Sequence, residues 1–597
     1  IPHQDNCALF LDHLDSLWQS IAWAVPVTDD ISLYDLNKNT AAMAVALSSQ
    51  NADKEKPFLL VQGDFSGIQN FIFATGKKAH KSAAKLLRGR SFQVSLFSEL
   101  AALKVLQACE LPATSQILNA AGKFQIIAPN TPQTVAALEE VKQQINQWFI
   151  KYTFGQMGIV LSFQAASKDD FIDADKYAKL VKKSFQQLEK AKLQRFDLTS
   201  ENMATVLDAD FSSGENDYNE YLPQDNPISD DQITIGTKLT SLNTIYILSQ
   251  QPPQNITQNI KQLKMPIFDF YVAFSQNGDT LFNDILRCWD FRLPEKSCLF
   301  NGIARRYVNA YIPHFTDDEK WDKYIEIDEE VELNQPKSFS HIACEDRQLF
   351  NDKWQGKVAI GVLKGDIDNL GQIFQRGLSH NNLAKTAALS RQINWFFTVY
   401  LPYLCQTEFP NTYTVFAGGD DFFLIGAWHS VQKLAVKMRQ KFSCYVAENQ
   451  QLSFSVGIAT HKAGVPLSTL SANAEAHLHQ AKQQEGKNSI CVFGECVKWC
   501  DWEKQVKTPF DEIGSLKKDL STGYIYSCLQ FCDMRREELE GDIQAALWRS
   551  RLAYRTKRLN ESNFAYNEII SVFTKGIEKN NAFRIALFNH LYLLRDK

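Results

Sequence analysis

The chain lacks the features that would mark a disulfide scaffold, a membrane protein or a broadly basic nucleic-acid binder. Its 12 cysteines are scattered over 597 residues with no C-x-x-C pair, a usage that suits a reducing cytoplasm rather than a disulfide framework. Lys and Arg number 63 against 68 Asp and Glu, a net charge of −5, so contact with nucleic acid must come from local patches. No run approaches the roughly 20 apolar residues of a membrane helix, and no signal-peptide pattern opens the chain. A cytoplasmic protein that meets no membrane is expected. His3 and His13 are the only histidines in residues 1–52, and neither is followed directly by an aspartate. They are expected to be surface histidines, and DNase activity is not expected from this chain. No cysteine lies between Cys109 and Cys288, so a thiolate cage cannot be built there and no zinc is expected. The chain opens on Ile1 instead of Met, which leaves a preceding segment of the gene product open.

What is present centres on TYTVFAGGDDFFLIG, residues 412–426. Two β-rich runs, Tyr413–Ala417 and Phe422–Ile425, flank Gly418-Gly419-Asp420-Asp421, which predicts a hairpin with two carboxylates at its tip. Upstream, the strand-like run Val358–Lys364 ends in Gly365-Asp366-Ile367-Asp368-Asn369, a second acidic loop. Carboxylates brought together repel unless a cation neutralises them, so Mg²⁺ or Mn²⁺ is the natural occupant; solvated turns are the alternative. Two-metal chemistry on a nucleoside triphosphate fits this inventory. Asp366, Asp420 and the Ile367 carbonyl would be metal ligands, with Asp421 a further ligand or proton acceptor. The segments that follow read as helix 430–448, strand 452–458, helix 467–484 and strand 489–493, the order of a palm-like cyclase or polymerase. Lys482 and Lys487 are placed to meet phosphates or to remain solvated.

An earlier stretch repeats this order. Phe58–Gly63 leads into Gly63-Asp64-Phe65-Ser66, and Ala121-Gly122-Lys123 falls where the two glycines and two aspartates would stand. The pattern reads as an internal duplication whose first copy lacks the hairpin carboxylates. Lys77, Lys78, Lys81, Lys85, Arg88 and Arg90 form the densest basic run, either an RNA contact or a solvated face. Residues 239–313 supply short strands at Thr244–Leu248, Phe268–Ser275 and Ser297–Phe300. A helix-rich tail follows residue 508, with Arg549, Arg551 and Arg555 on a helical stretch and Cys528 and Cys532 one turn apart, expected in its core.

LKGDIDNLG, FAGGDDFFLIGAW and AEAHLHQAKQQEGKNSI resemble the second palm domain of the large subunit of type III CRISPR effector complexes, of the Csm type. GDFSGIQ and LRGRSF are similar to that family's first palm. The family is distantly similar to GGDEF diguanylate cyclases. The resemblance implies an α+β multidomain chain with two ferredoxin-like palm (GGDEF/cyclase-like) domains, an α/β insert and a C-terminal helical bundle. The expected divisions are a helical segment 1–52, first palm 53–200, insert 201–345, second palm 346–508 and helical domain 509–597. It implies a nucleotidyltransferase that converts ATP to cyclic oligoadenylates when guide RNA pairs with target RNA. It further implies ATP contacts at Gly418, Gly419, Asp368, Asn369, Lys482, Lys487, Asp64 and Ser66, and RNA contacts at the two basic stretches. The implied partners are guide and target RNA, the subunit that binds the guide 5′ end and the small helical subunit. A diguanylate cyclase is one alternative, although Phe422 follows two aspartates where GG(D/E)EF is required; a non-catalytic scaffold subunit is the other.

Overall fold

The structure is a computed structural model. It describes residues 3–595 apart from 29, 50, 74–82, 121, 154, 156, 197–235, 237–238, 240–241, 253–259, 264, 277–283, 294, 296–297, 309, 318–320, 325–326, 328, 330, 517–519, 560–562 and 580–581. Lys77, Lys78 and Lys81 lie outside the described residues.

Two antiparallel sheets share one strand order. In the first unit, β1 (Phe58–Ser66), β2 (Gln116–Ala120), β3 (Lys123–Pro129) and β4 (Gly158–Ala166) are arranged β2-β3-β1-β4. In the second, β5 (Ile360–Ile367), β6 (Tyr413–Gly418), β7 (Asp421–Ala427) and β8 (Phe454–His461) are arranged β6-β7-β5-β8. The second sheet is extended by β9 (Ser489–Val492), parallel to β8, and by β10 (Glu495–Lys498). The order 2-3-1-4 with helical crossovers is the ferredoxin-like arrangement. Each hairpin also carries an irregularity at the matching place, between Gln116 and Leu118 in one and between Thr414 and Phe416 in the other. A bulge bends and twists a strand locally, and its recurrence at the same place is a further mark of the duplication.

The units pack against each other through α1 (Ala83–Ala108), whose Leu87, Phe92, Phe97 and Leu100 are buried in a core shared with Tyr413, Val415 and Phe423. Ser91 Oγ donates to the carbonyl of Val415, and the rings of Phe73 and Phe423 lie 4.5 Å apart. A helix apolar on most of its faces is a buried helix. That burial governs two basic residues expected on a surface: Arg88 and Arg90 are 3% and 1% exposed.

The segment between the units forms a five-stranded sheet in which Thr244–Leu248 pairs with both Tyr271–Ser275 and Ile285–Asp290. Ile285–Asp290 is a strand that sequence reading passed over. Where a strand is expected over residues 297–300, the described residues make only an isolated bridge, Glu295 to Cys298. His13 is buried, not on the surface. Its Nδ1 accepts the Ala304 N–H at 2.9 Å, and its Nε2 lies 3.1 Å from His3 Nδ1. Arg305 is likewise buried, with Nη1 donating to the Cys298 carbonyl at 2.7 Å, and Arg306 is ion-paired with Asp12 at 2.6 Å. The C-terminal helices enclose their own core, which includes Cys528, Cys532, Trp548 and Phe573. Among the described residues no helix is long and apolar enough to cross a membrane.

Candidate active site at the Gly418–Asp421 hairpin

Strands β6 and β7 close through Gly419 and Asp420, with Gly418 paired to Asp421 across the turn. Gly419 takes φ +61°, a backbone conformation that glycine adopts at no steric cost. The other edge of β7 pairs with β5, whose register places Asp366 directly opposite Asp421 and Gly365 opposite Phe422. A Cβ on Gly365 would fall inside the Phe422 ring, so glycine there lets the aromatic lie flat behind the carboxylates. The backbone N–H of Ile367 donates to the Asp420 carbonyl at 3.0 Å, tying the acidic loop to the hairpin.

The electrostatics are those of carboxylates short of counter-charge. Burial pushes the Asp421 carboxyl up to about 6, with Asp366, Asp420 and Glu475 adding repulsion and Lys364 opposing it. Asp421 Oδ1 is buried with no hydrogen-bond partner. Burial also raises Asp366, offset in part by Lys482, whose Nζ forms an ion pair with it. Lys364 is 3% exposed and is ion-paired with Glu475. Lys487 Nζ donates to Asn369 Oδ1 at 2.6 Å, and Asn369 takes the left-handed φ of 57°. Among the described residues no three His, Cys, Asp or Glu side chains converge into a ready metal cluster. The orphaned Asp421 oxygen nevertheless fits a cation, which would relieve the repulsion that raises these carboxyls.

The first unit shows why its own tip differs. Gly63 sits opposite Phe124, as Gly365 sits opposite Phe422, but Asp64 is opposite Lys123 where Asp366 meets Asp421. One cross-strand substitution replaces two like charges with an opposite pair. Asp64 is buried and ion-paired with Lys192 at 2.8 Å, and Ser66 Oγ donates to the Gly158 carbonyl at 3.1 Å while accepting from Arg195 at 3.0 Å. Asp64, expected as an ATP contact, is thus held in an ion pair in this ligand-free fold. Asp368, also expected as an ATP contact, is held inward as well. It is 2% exposed and accepts from Ser453 Oγ at 2.7 Å, Ser455 Oγ at 2.8 Å and the Asn488 N–H at 3.0 Å.

Asp420 is half-buried and opens onto a cleft of about 170 Å³ between the two units, lined by Gly63, Lys123 and Gln125 on one side and by Phe374, Ser390 and Gly419 on the other. Of the expected RNA contacts, Lys85 is exposed. Arg88 and Arg90 are not available, because α1 is sandwiched between the units and Arg88 Nη1 donates to the Gly236 carbonyl at 3.2 Å. Arg551, Tyr554, Arg555 and Arg558 form an exposed stripe at i, i+3, i+4 and i+7 on the helix Trp548–Leu559. Arg549 differs, being ion-paired with Glu538 at 2.6 Å and Glu578 at 3.3 Å.

Comparison with known proteins bears on both units. The description "Csm1 subunit domain B" matches residues 57–209, and "Cas10/Cmr2, second palm domain" matches residues 359–491. The single-strand-specific deoxyribonuclease Cas10/Csm1 (subtype III-A) of Thermococcus onnurineus is 26% identical, aligned over 92% of this chain and 72% of that protein. Its counterpart from Enterococcus italicus is 24% identical over 94% and 74%. The chain is similar to Cas10/Csm1 proteins in both units and along most of its length. It is a Csm-type large subunit of a type III CRISPR effector. Solved family structures share the fold: an apo Csm1–Csm4 cassette superposes with a TM-score of 0.73 at 22% identity, covering 98% of this chain and 78% of that one. The cassette in complex with cA4 gives 0.70 at 21% identity and the same coverage.

Asn394, which bonds the hairpin turn, was missed by sequence reading because nothing in its local sequence marks it. Lys364 and Glu475 were likewise legible only as a strand end and a helix residue.

Proposed function

We propose that the chain joins ATP into 3′–5′ linked cyclic oligoadenylates, releasing pyrophosphate, and does so when target RNA pairs with a guide held in the assembled effector. The observation that carries this reading is the placement of Asp366 against Asp421, with the neighbouring Asp420 lining a cleft built from both units. The family's cassettes with cA3, cA4 and one ATP support the same chemistry.

Asp366, Asp420, Asp421 and the Ile367 carbonyl would hold Mg²⁺ or Mn²⁺. A bound ion of this kind lowers the pKa of a ribose hydroxyl and offsets charge on the triphosphate. The remaining work falls to the chain itself. Gly418 and Gly419 carry no side chains, so a triphosphate can approach the turn backbone closely. Lys482 and Lys487 present ammonium groups beside the carboxylates, where phosphates would draw them from Asp366 and Asn369. The partly apolar cleft excludes water and offers a surface for the base. Because it is lined by both units, their relative placement sets how two nucleotides meet, and a misplacement of about 1 Å costs roughly 10²-fold in rate.

The deoxyribonuclease activity named for the relatives is not assigned to these residues. A Csm4-type subunit, the small helical subunit and the two RNAs are the proposed partners, with the stripe Arg551–Arg558 as the RNA-facing side of the C-terminal bundle. The test is Asp420→Ala with Asp421→Ala in the assembled complex with labelled ATP, Mn²⁺ and target RNA. Synthesis is expected to fall by orders of magnitude while RNA affinity stays at the wild-type value; an unchanged synthesis rate overturns the assignment.

A further inference from the structure

The turn that carries Asp420 and Asp421 is held from behind by a single stretch of helix. α2 (Leu383–Trp395) ends in a wider π-helical turn, Phe396–Tyr400. Asn394 Oδ1, just before that turn, accepts the Gly419 N–H at 2.8 Å. Phe397, three residues on, stacks on Phe422 with ring centroids 4.7 Å apart and planes 17° from parallel. These contacts bracket the carboxylates, one on the residue before Asp420 and the other on the residue after Asp421. A π-helical turn shifts the angular position of the residues beyond it, a device frequent at functional sites. The helix is itself anchored. Arg391, one turn before Asn394, places Nε and Nη2 on the two carboxylate oxygens of Asp35 at 2.8 and 2.7 Å, with both residues buried. A planar bidentate pair of this kind fixes direction as well as distance.

We propose that Asn394 is a positioning residue for the hairpin carboxylates, with Arg391–Asp35 bracing the helix that presents it. This rests on the reading of the hairpin as the metal-nucleotide site. Gly419 has no side chain and takes a positive φ, so its own backbone does little to restrict the turn. The Asn394 bond supplies the missing restraint by fixing the Gly419 peptide plane and hence the direction in which Asp420 leaves the turn. Phe397 fixes the other end through Phe422. Partners that orient ligand-bearing groups commonly contribute 10–100-fold to metal affinity or activity.

The experiment is a Mn²⁺ titration of the full chain, followed through the spectroscopic signal of free Mn²⁺, on wild type, Asn394→Ala, Asn394→Asp and Asp420→Ala. Turnover of ATP is measured on the assembled complexes in parallel. Asn394→Ala is expected to weaken Mn²⁺ binding about 10-fold, and to lower kcat while leaving KM for ATP near the wild-type value. Asn394→Asp, which keeps an acceptor oxygen in place, should recover most of both. Wild-type Mn²⁺ affinity in Asn394→Ala, or equal impairment in the Ala and Asp variants, overturns the positioning role. Wild-type affinity in Asp420→Ala overturns the metal-site reading beneath it, so the two failures are told apart.

Discussion

Asp366 and Asp421 are direct cross-strand neighbours at the ends of two central antiparallel strands. Like charges placed opposite each other destabilise a sheet, and burial sharpens the effect. The metal-free fold therefore bears a cost at this position. Asp421→Asn is expected to raise the melting midpoint of the chain in EDTA by about 2 °C. Mn²⁺ should then stabilise the wild type more than the variant, because only an ion that binds the folded state shifts its stability. A variant that melts at or below the wild type in EDTA would show that the pair is not strained.

The glycine before each aspartate is dictated by the ring across from it. A Cβ at Gly365 meets Phe422, and one at Gly63 meets Phe124. Forcing such a contact costs about 1–3 kcal/mol. Gly365→Ala and Gly63→Ala should both lower thermal stability, but only Gly365→Ala displaces the ring behind Asp421 and should reduce Mn²⁺ affinity. Equal Mn²⁺ affinity in the two variants would contradict the functional difference drawn between the hairpins.

Much of this arrangement was legible from local pattern. Gly-Gly-Asp-Asp between two β-rich runs implied the hairpin, and the repeated strand–Gly-Asp–helix order implied the duplication, because turn chemistry and alternation are local properties. What escaped was decided by partners distant in sequence. Arg88 and Arg90 read as a surface patch because a charge run does not reveal that another sheet lies on top of it. Asp366 and Asp368 are two residues apart and equivalent in sequence, yet Ser453, Ser455 and the Asn488 amide capture only the second. His13 read as exposed because the N–H that donates to its Nδ1, that of Ala304, comes from the insert sheet.

The C-terminal stripe should behave as an electrostatic RNA contact. Charge reversal at Arg551, Arg555 and Arg558 is expected to weaken RNA-stimulated activity and to lessen its salt dependence, because each lost phosphate contact reduces the salt slope by roughly 0.7–0.9. Arg549→Ala should do less, since Glu538 and Glu578 already neutralise it. The same loss from Arg549→Ala as from the triple reversal would place the RNA elsewhere.

His13 predicts an acid sensitivity. Burial lowers its pKa from 6.5 to about 4, with Asp12 opposing the shift and His3 and Arg306 adding to it. In the unfolded chain the ring protonates near 6.5, so between about 6.5 and 4 the unfolded state binds more protons and stability falls as pH falls. The full shift corresponds to roughly 3 kcal/mol. His13→Gln should be less stable than wild type at pH 7 and lose less on acidification to pH 4.5, as read from urea midpoints at both pH values. Parallel losses would assign the acid sensitivity to other groups.

The central claim is that the Asp420–Asp421 hairpin makes cyclic oligoadenylate under the control of RNA. Its most direct test is product analysis of labelled ATP with Mn²⁺, comparing the isolated chain, the assembled complex, and the complex with complementary or non-complementary RNA. Cyclic 3′–5′ oligoadenylate and pyrophosphate are expected in quantity only from the complex with complementary RNA, and not from its Asp420→Ala, Asp421→Ala counterpart. Equal product in every arm, or undiminished product from the double variant, would contradict the account.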